Sequence, residues 1–284
     1  MEAATLSPTP PRPRPVEVAL VASLLAVAAG AWAVTGDRMG GMDAGPGTEL
    51  GGLGWFAVVW VTMMAAMMLP SIAPMVLAHA RIQIGATPAF VAGYLLTWAA
   101  VGTLGWALVE ALRSLDVGVL GWDEAGPYVA GGAILAAGIY QLSELKRRSL
   151  RRCRNARQFV SDHWRPGRVG ALRMGIEHGR VCLGSSWALM ATLFALGVMS
   201  VSWMVLVGAL IAAEKLLPWK EVTTRGIVVL LAVLAVAVAF APESVPGLTI
   251  PGSPAAMEAM ERMGIESMEP PSPRRMENRP GAMP

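Results

Sequence analysis

The chain has 284 residues, of which 54% are hydrophobic and only 15% charged, and its formal net charge is +3. Soluble globular domains carry about 25% charged residues, so this composition excludes an ordinary water-soluble domain, and the modest charge argues against a nucleic-acid partner. Two cysteines, Cys153 and Cys182, exclude a secreted disulfide scaffold, whereas the 18 methionines outnumber Phe, Tyr and Cys together.

Residues 1–15 end in Pro-Arg-Pro-Arg-Pro and read as a disordered cytoplasmic arm. Charge-free apolar runs follow at 18–34, 50–78, 82–109, 125–143, 181–213 and 226–242. A helix needs about 20 apolar residues to cross about 30 Å of hydrocarbon. The predicted fold is therefore an all-α polytopic bundle over 16–242. Its spans are expected at about 16–34, 53–78, 88–110, 125–143, 181–197, 201–217 and 226–242, seven in all, with six as the alternative count. The long run at 181–213 is read as a hairpin turning near Gly197–Ser202. That turn keeps Lys215, Lys220 and Arg225 on the same side as the segment Lys146–Arg180, which alone holds eleven Lys and Arg.

By the positive-inside rule the basic side faces the cytoplasm, which puts the N-terminus inside a bacterial plasma membrane. Ala31-Trp32-Ala33 has the form of a signal-peptidase site, but the apolar run before it is long, so the first span is expected to stay uncleaved. The Pro- and Met-rich stretch 243–284 reads mostly as a disordered extracytoplasmic tail, in which Met257, Met260 and Met263 stand at helical spacing, with a short amphipathic helix as the alternative there. Met39, Met42 and the tail methionines add a second, extracytoplasmic set of thioethers, read chiefly as incidental to a disordered tail.

The second span carries the first candidate site. Met64, Met68, Met75 and His79 stand 4, 7 and 4 residues apart, which stacks them on one helix face, and Pro70 and Pro74 free backbone carbonyls between them. Thioether and imidazole donors suit copper, thioethers favouring Cu(I). The competing reading is that methionine fills irregular helix contacts. A second cluster places His178, Cys182, Ser186 and Met190 at successive steps of four. It reads either as half of a soft-metal site or as a helix start with His178 solvated and Cys182 packed as a small apolar residue.

The motifs Trp60-x-x-Met63-x-x-Ala66-Met67-Met68-x-Pro70, His178-Gly179-x-x-Cys182-x-Gly184-x-x-Trp187-Ala188-Leu189-Met190 and Gly197-Val198-Met199 through Trp203-Met204 to Glu214-Lys215 occur in order. Over roughly 55–230 the chain resembles a bacterial family of predicted metal-binding integral membrane proteins, which includes a tyrosinase-associated copper chaperone. The resemblance implies that Met67, Met68, His178 and Cys182 handle copper and that a copper-dependent enzyme receives it. The family pattern has a cysteine pair where Ser185 and Ser186 stand here, and a further cysteine where Ser149 stands.

Other residues promise less. Cys153 lies among Arg151, Arg152 and Arg154, which a solvated basic loop explains; His163 has no donor at ligand spacing; and Glu214 is read as an interface pair with its neighbour Lys215. No nucleophilic triad or paired catalytic carboxylates stand out, so an enzyme is not expected. The expected function is a membrane-embedded chaperone or carrier of Cu(I), with Met64, Met67, Met68, Met75, His79, His178 and Cys182 as metal ligands and the lipid bilayer as surroundings. The alternative is a metal-independent scaffold or transporter subunit that has lost the family's thiols.

Overall fold

The computed structural model describes residues 14–39, 52–114, 125–197 and 200–262. The arm at 1–13, the acidic segments 40–51 and 115–124, and Met42, Met263, Met268, Met276 and Met283 lie outside the described residues. Among the described residues the fold is all helical. The long helices are α1 (Pro15–Met39), α2 (Leu53–Gln83), α3 (Thr87–Ser114), α4 (Gly126–Gln141), α7 (Gly167–Leu196), α8 (Val201–Leu216) and α9 (Lys220–Phe240). Shorter ones are α5 (Glu144–Arg154), α6 (Ala156–His163) and α10 (Pro254–Arg262).

Among the described residues four apolar stretches are long enough to cross a membrane: Pro15–Met39, Leu53–Ala111, Gly167–Leu196 and Lys220–Phe240. The second runs through both α2 and α3, joined by one 3-10 turn at Ile84–Ala86. Helices α4 and α8 have 16 residues each, short of the roughly 20 that a span needs, so helix length alone does not establish seven crossings.

α2 occupies the middle, packing on α1, α3, α6 and α8, while α7 packs along α3 and also meets α4, α5 and α8. The core between them is built from large side chains, including Phe90, Tyr94, Trp98 and the methionines of α2. The α7–α8 turn uses Gly197 at φ 104°, a left-handed conformation that only glycine adopts without strain. The Ser200 amide closes that turn by donating to the Gly197 carbonyl at 3.1 Å.

Two stretches differ from the sequence expectation. The basic segment after Lys146 is helical rather than a solvated loop. Ser143 caps α5 by accepting from the Lys146 amide, and Glu144 lies in the first turn with Arg151, Arg152 and Arg154 in the last, which complements the helix dipole. Asn155 caps α6 in the same way, by accepting from the Gln158 amide. Helix α7 then begins at Gly167, fourteen residues before the expected span, so His178 and Cys182 stand well inside it. The stretch after Pro242 also folds back onto the bundle. Val245 is buried, Trp203 donates its indole N–H to the Gly247 carbonyl at 3.0 Å, and residues 254–262 form α10 with Met257 exposed.

One end of the bundle is basic. Arg81 at the end of α2 pairs with Glu17 at the start of α1 (2.9 Å), and the Gly167 amide at the start of α7 donates to Gln83 (3.1 Å). Arg154 of α5 donates to the carbonyls of Glu214 and Leu217 at the end of α8.

Candidate metal centre

The site is built on a very close approach of two helices. A Cβ on Gly175 would overlap the Phe90 carbonyl, and one on Gly93 would overlap the Leu172 carbonyl, so α3 and α7 touch backbone to backbone. His178 follows one turn after Gly175, and Cys182 one turn after that. His79 arrives from the last turns of α2.

The two imidazoles share an aromatic enclosure. The His79 ring lies 5.1 Å from that of Phe90 and 5.8 Å from Trp164. The His178 ring lies 6.1 Å from Phe90, 5.8 Å from Tyr94 and 5.1 Å from Phe159. Both histidines are fully buried. The expectation of a solvated His178 at a helix start is therefore overturned, because α7 extends two further turns and more beneath it and α6 covers it with Phe159.

One ring nitrogen of His79 is tied down and the other is not. Its Nδ1 lies 3.2 Å from Thr87 Oγ1, and that hydroxyl donates its single proton to the Gln83 carbonyl at 3.4 Å. With Nδ1 as the donor to Thr87, Nε2 carries a lone pair, and Nε2 is buried without a partner. On His178 it is Nδ1 that is buried without a partner. Such orphans are costly unless something binds them, and a neutral imidazole with one N–H tied down is the usual form of a metal-ligating histidine.

Cys182 is the hub of a polar cluster one turn deeper. Its Sγ is 3.1 Å from Tyr94 Oη, 2.9 Å from Lys215 Nζ and 4.0 Å from Ser186 Oγ. Lys215 also donates to Ser71 of α2 at 3.4 Å. Cys153 of α5 reaches the same cluster, with its Sγ 3.6 Å from Ser185 Oγ, and Ser185 lies 3.3 Å from Ser186. The neighbouring Cys182 and burial together hold the Cys153 thiol above its ordinary range. Cys153 is thus half-buried against α7 rather than in a solvated loop.

Met64, Met67, Met68 and Met75 are all buried; Met67 packs against Gly208 of α8, and the Met68 carbonyl accepts from Ser71. Among the described residues no three His, Cys, Asp or Glu side chains come close enough to hold a metal by themselves. Glu214 does not pair with Lys215. Its partner is Lys146 at 2.7 Å, because α5 lies against the end of α8. His163 stacks on Phe159 at 4.5 Å. Sequence reading missed Tyr94, Lys146 and the contact of Lys215 with Cys182. Only the Ser143-Glu144 cap signal, which makes α5 a helix, was there to be found.

A helical bundle whose interior gathers thioether, thiol and imidazole donors has the donor set that suits copper. The chain belongs to the PpoB2 copper chaperone family, whose model matches residues 57–238 and so covers α2 to α9. The motif resemblance over 55–230 is thereby borne out, and membership supports a copper-handling role. No curated protein and no solved structure matches the chain.

Proposed function

We propose that this protein is a membrane-embedded carrier that holds Cu(I) as cargo between α2 and α7 and passes it to a copper-dependent enzyme. The observation that carries the proposal is the orphaned Nε2 of His79, buried without a partner while Nδ1 is tied to Thr87. The candidate donors are Met64, Met67, Met68, Met75, His79, His178 and Cys182. Thioethers and neutral imidazoles bind Cu(I) without adding charge, so the ion passes between weak sites and release is as easy as capture.

The membrane part of the reading is supported by what the outer helices expose. In the apolar windows of α1 and α9 only 17% and 22% of residues are buried, which leaves long greasy faces that water penalises and lipid does not. The seven long helices are read as the spans, with the basic end in the cytoplasm.

One observation favours the metal-free alternative: the Lys215 ammonium lies 2.9 Å from Cys182 and would repel a cation there. Copper stoichiometry decides between the two. The detergent-purified protein, loaded with Cu(I) under reducing conditions, is expected to retain copper that His79→Ala loses and that the double variant His178→Ala/Cys182→Ser loses. A wild type that retains no more copper than these variants contains no such site.

A further inference from the structure

A cavity of about 420 Å³ opens at the basic end of the bundle, where α4, α5 and α9 meet, away from the histidines and Cys182. Gln141, Arg147, Arg151, Arg154, Lys220 and Arg225 line it. We propose that this cavity binds the phosphodiester head group of an anionic phospholipid.

The charge is in place and largely unspent. Five cations line the cavity against one carboxylate, Glu221, which pairs with Arg225 at 3.2 Å. Arg147 and Arg151 share the single carboxylate of Glu144 with Arg148, at 3.1, 2.9 and 3.2 Å, so three guanidiniums divide one negative charge. Arg154 is anchored to backbone carbonyls at the end of α8, and Lys220 forms no ion pair among the described residues.

The independent sign of a ligand is Gln141. Its side chain is fully buried at the end of α4, and both its Oε1 and Nε2 lack any partner. A buried amide with neither atom satisfied is rare and expensive in a finished fold. A phosphate oxygen offers the acceptor that Nε2 lacks, and a glycerol hydroxyl offers the donor that Oε1 lacks.

The surroundings suit a lipid rather than free phosphate. Leu142 is 54% exposed at the cavity, which Leu150 also lines, and Trp219 and Val222, next in the chain to Lys220 and Glu221, are 69% and 72% exposed, so apolar surface is at hand for acyl chains. Basic pockets between helices on the cytoplasmic side are where anionic head groups bind. The larger basic cavity of about 560 Å³, lined by Arg148, Arg151 and Arg152, has no unpartnered buried polar side chain among its lining residues.

The proposal rests on the membrane reading and not on copper. The full-length protein is first located by membrane fractionation; recovery in the soluble fraction would overturn membrane placement before any lipid is tested. Native mass spectrometry of the detergent-purified protein, titrated with phosphatidylglycerol or phosphatidylcholine, then reads the site. One phosphatidylglycerol per chain is expected to survive conditions that strip phosphatidylcholine. Lys220→Ala/Arg225→Ala should weaken that binding roughly thirtyfold, and Gln141→Leu, which leaves the charge alone, roughly fivefold. Arg152→Ala in the other cavity should leave it unchanged. Equal retention of the two lipids by the wild type overturns the proposal without any variant. So does an Arg152→Ala loss as large as that of the double variant, or one-for-one displacement of the lipid by millimolar inorganic phosphate.

Discussion

Lys146 and Glu214 are each almost completely buried and face one another at 2.7 Å, with the other Glu214 oxygen unpartnered. Burial pushes the Lys146 ammonium below the usual lysine range despite the carboxylate beside it. Desolvation therefore offsets much of what the contact gains, and the pair matters chiefly because neither member tolerates losing the other. Glu214→Gln should cost about 3–5 kcal/mol in thermal or denaturant unfolding in detergent, since it strands a buried ammonium. The double change Lys146→Met/Glu214→Leu, which removes both charges and keeps the volume, should recover most of that loss. Equal damage from the single and double variants would mean that packing, not charge, holds α5 to α8. None of this was legible in the sequence. Lys146 stands at the head of a basic run in which Arg147, Arg148, Arg151 and Arg152 face water, and Lys215 is the nearer neighbour of Glu214 along the chain; only the placement of α5 selects Lys146.

At the scale of elements, long charge-free runs announce α1, α2, α3 and α9, because about 20 apolar residues without a break read as one long helix. The amphipathic helices α5 and α6 carry no such signal, and their charges read as loop. What sets the position of the site is the contact of α3 with α7, where the absence of a Cβ at Gly175 and Gly93 lets the backbones meet. Gly175→Ala puts a methyl against the Phe90 carbonyl, which belongs to a helix and cannot turn aside. The helices must part, at a cost of about 1–3 kcal/mol. Since Phe90 and His178 flank that contact, the same variant should weaken copper retention. Gly132→Ala, on a helix face with nothing near it, should affect neither. Unfolding in detergent and copper stoichiometry measured on both variants check this; a stable, fully loaded Gly175→Ala protein would show that the close approach does not position the site.

For the molecule as a whole, the motif order gave the family, but which donors meet depended on how three helices converge. Cys182 and the two serines come from α7, Cys153 from α5, and Lys215 from α8. Cys153, Ser185, Ser186 and Cys182 therefore converge in space although they are spread along the chain. Cys153 lies 3.6 Å from Ser185, Ser185 lies 3.3 Å from Ser186, and Ser186 lies 4.0 Å from Cys182. Hydroxyls are poor ligands for Cu(I) and thiolates are strong ones, so the helix frame offers room for a thiol cluster between Cys153 and Cys182, where this sequence carries Ser185 and Ser186. Ser185→Cys/Ser186→Cys should add two thiols within reach of the two already present, with only a modest change of volume. Kept reduced, the double variant is expected to hold Cu(I) against chelator concentrations that strip the wild type. It should also release the ion more slowly, as a tighter site must. If competition with a Cu(I) chelator shows no tightening, the α5–α7 face takes no part in holding the cargo, and the donors lie with His79 and the α2 methionines.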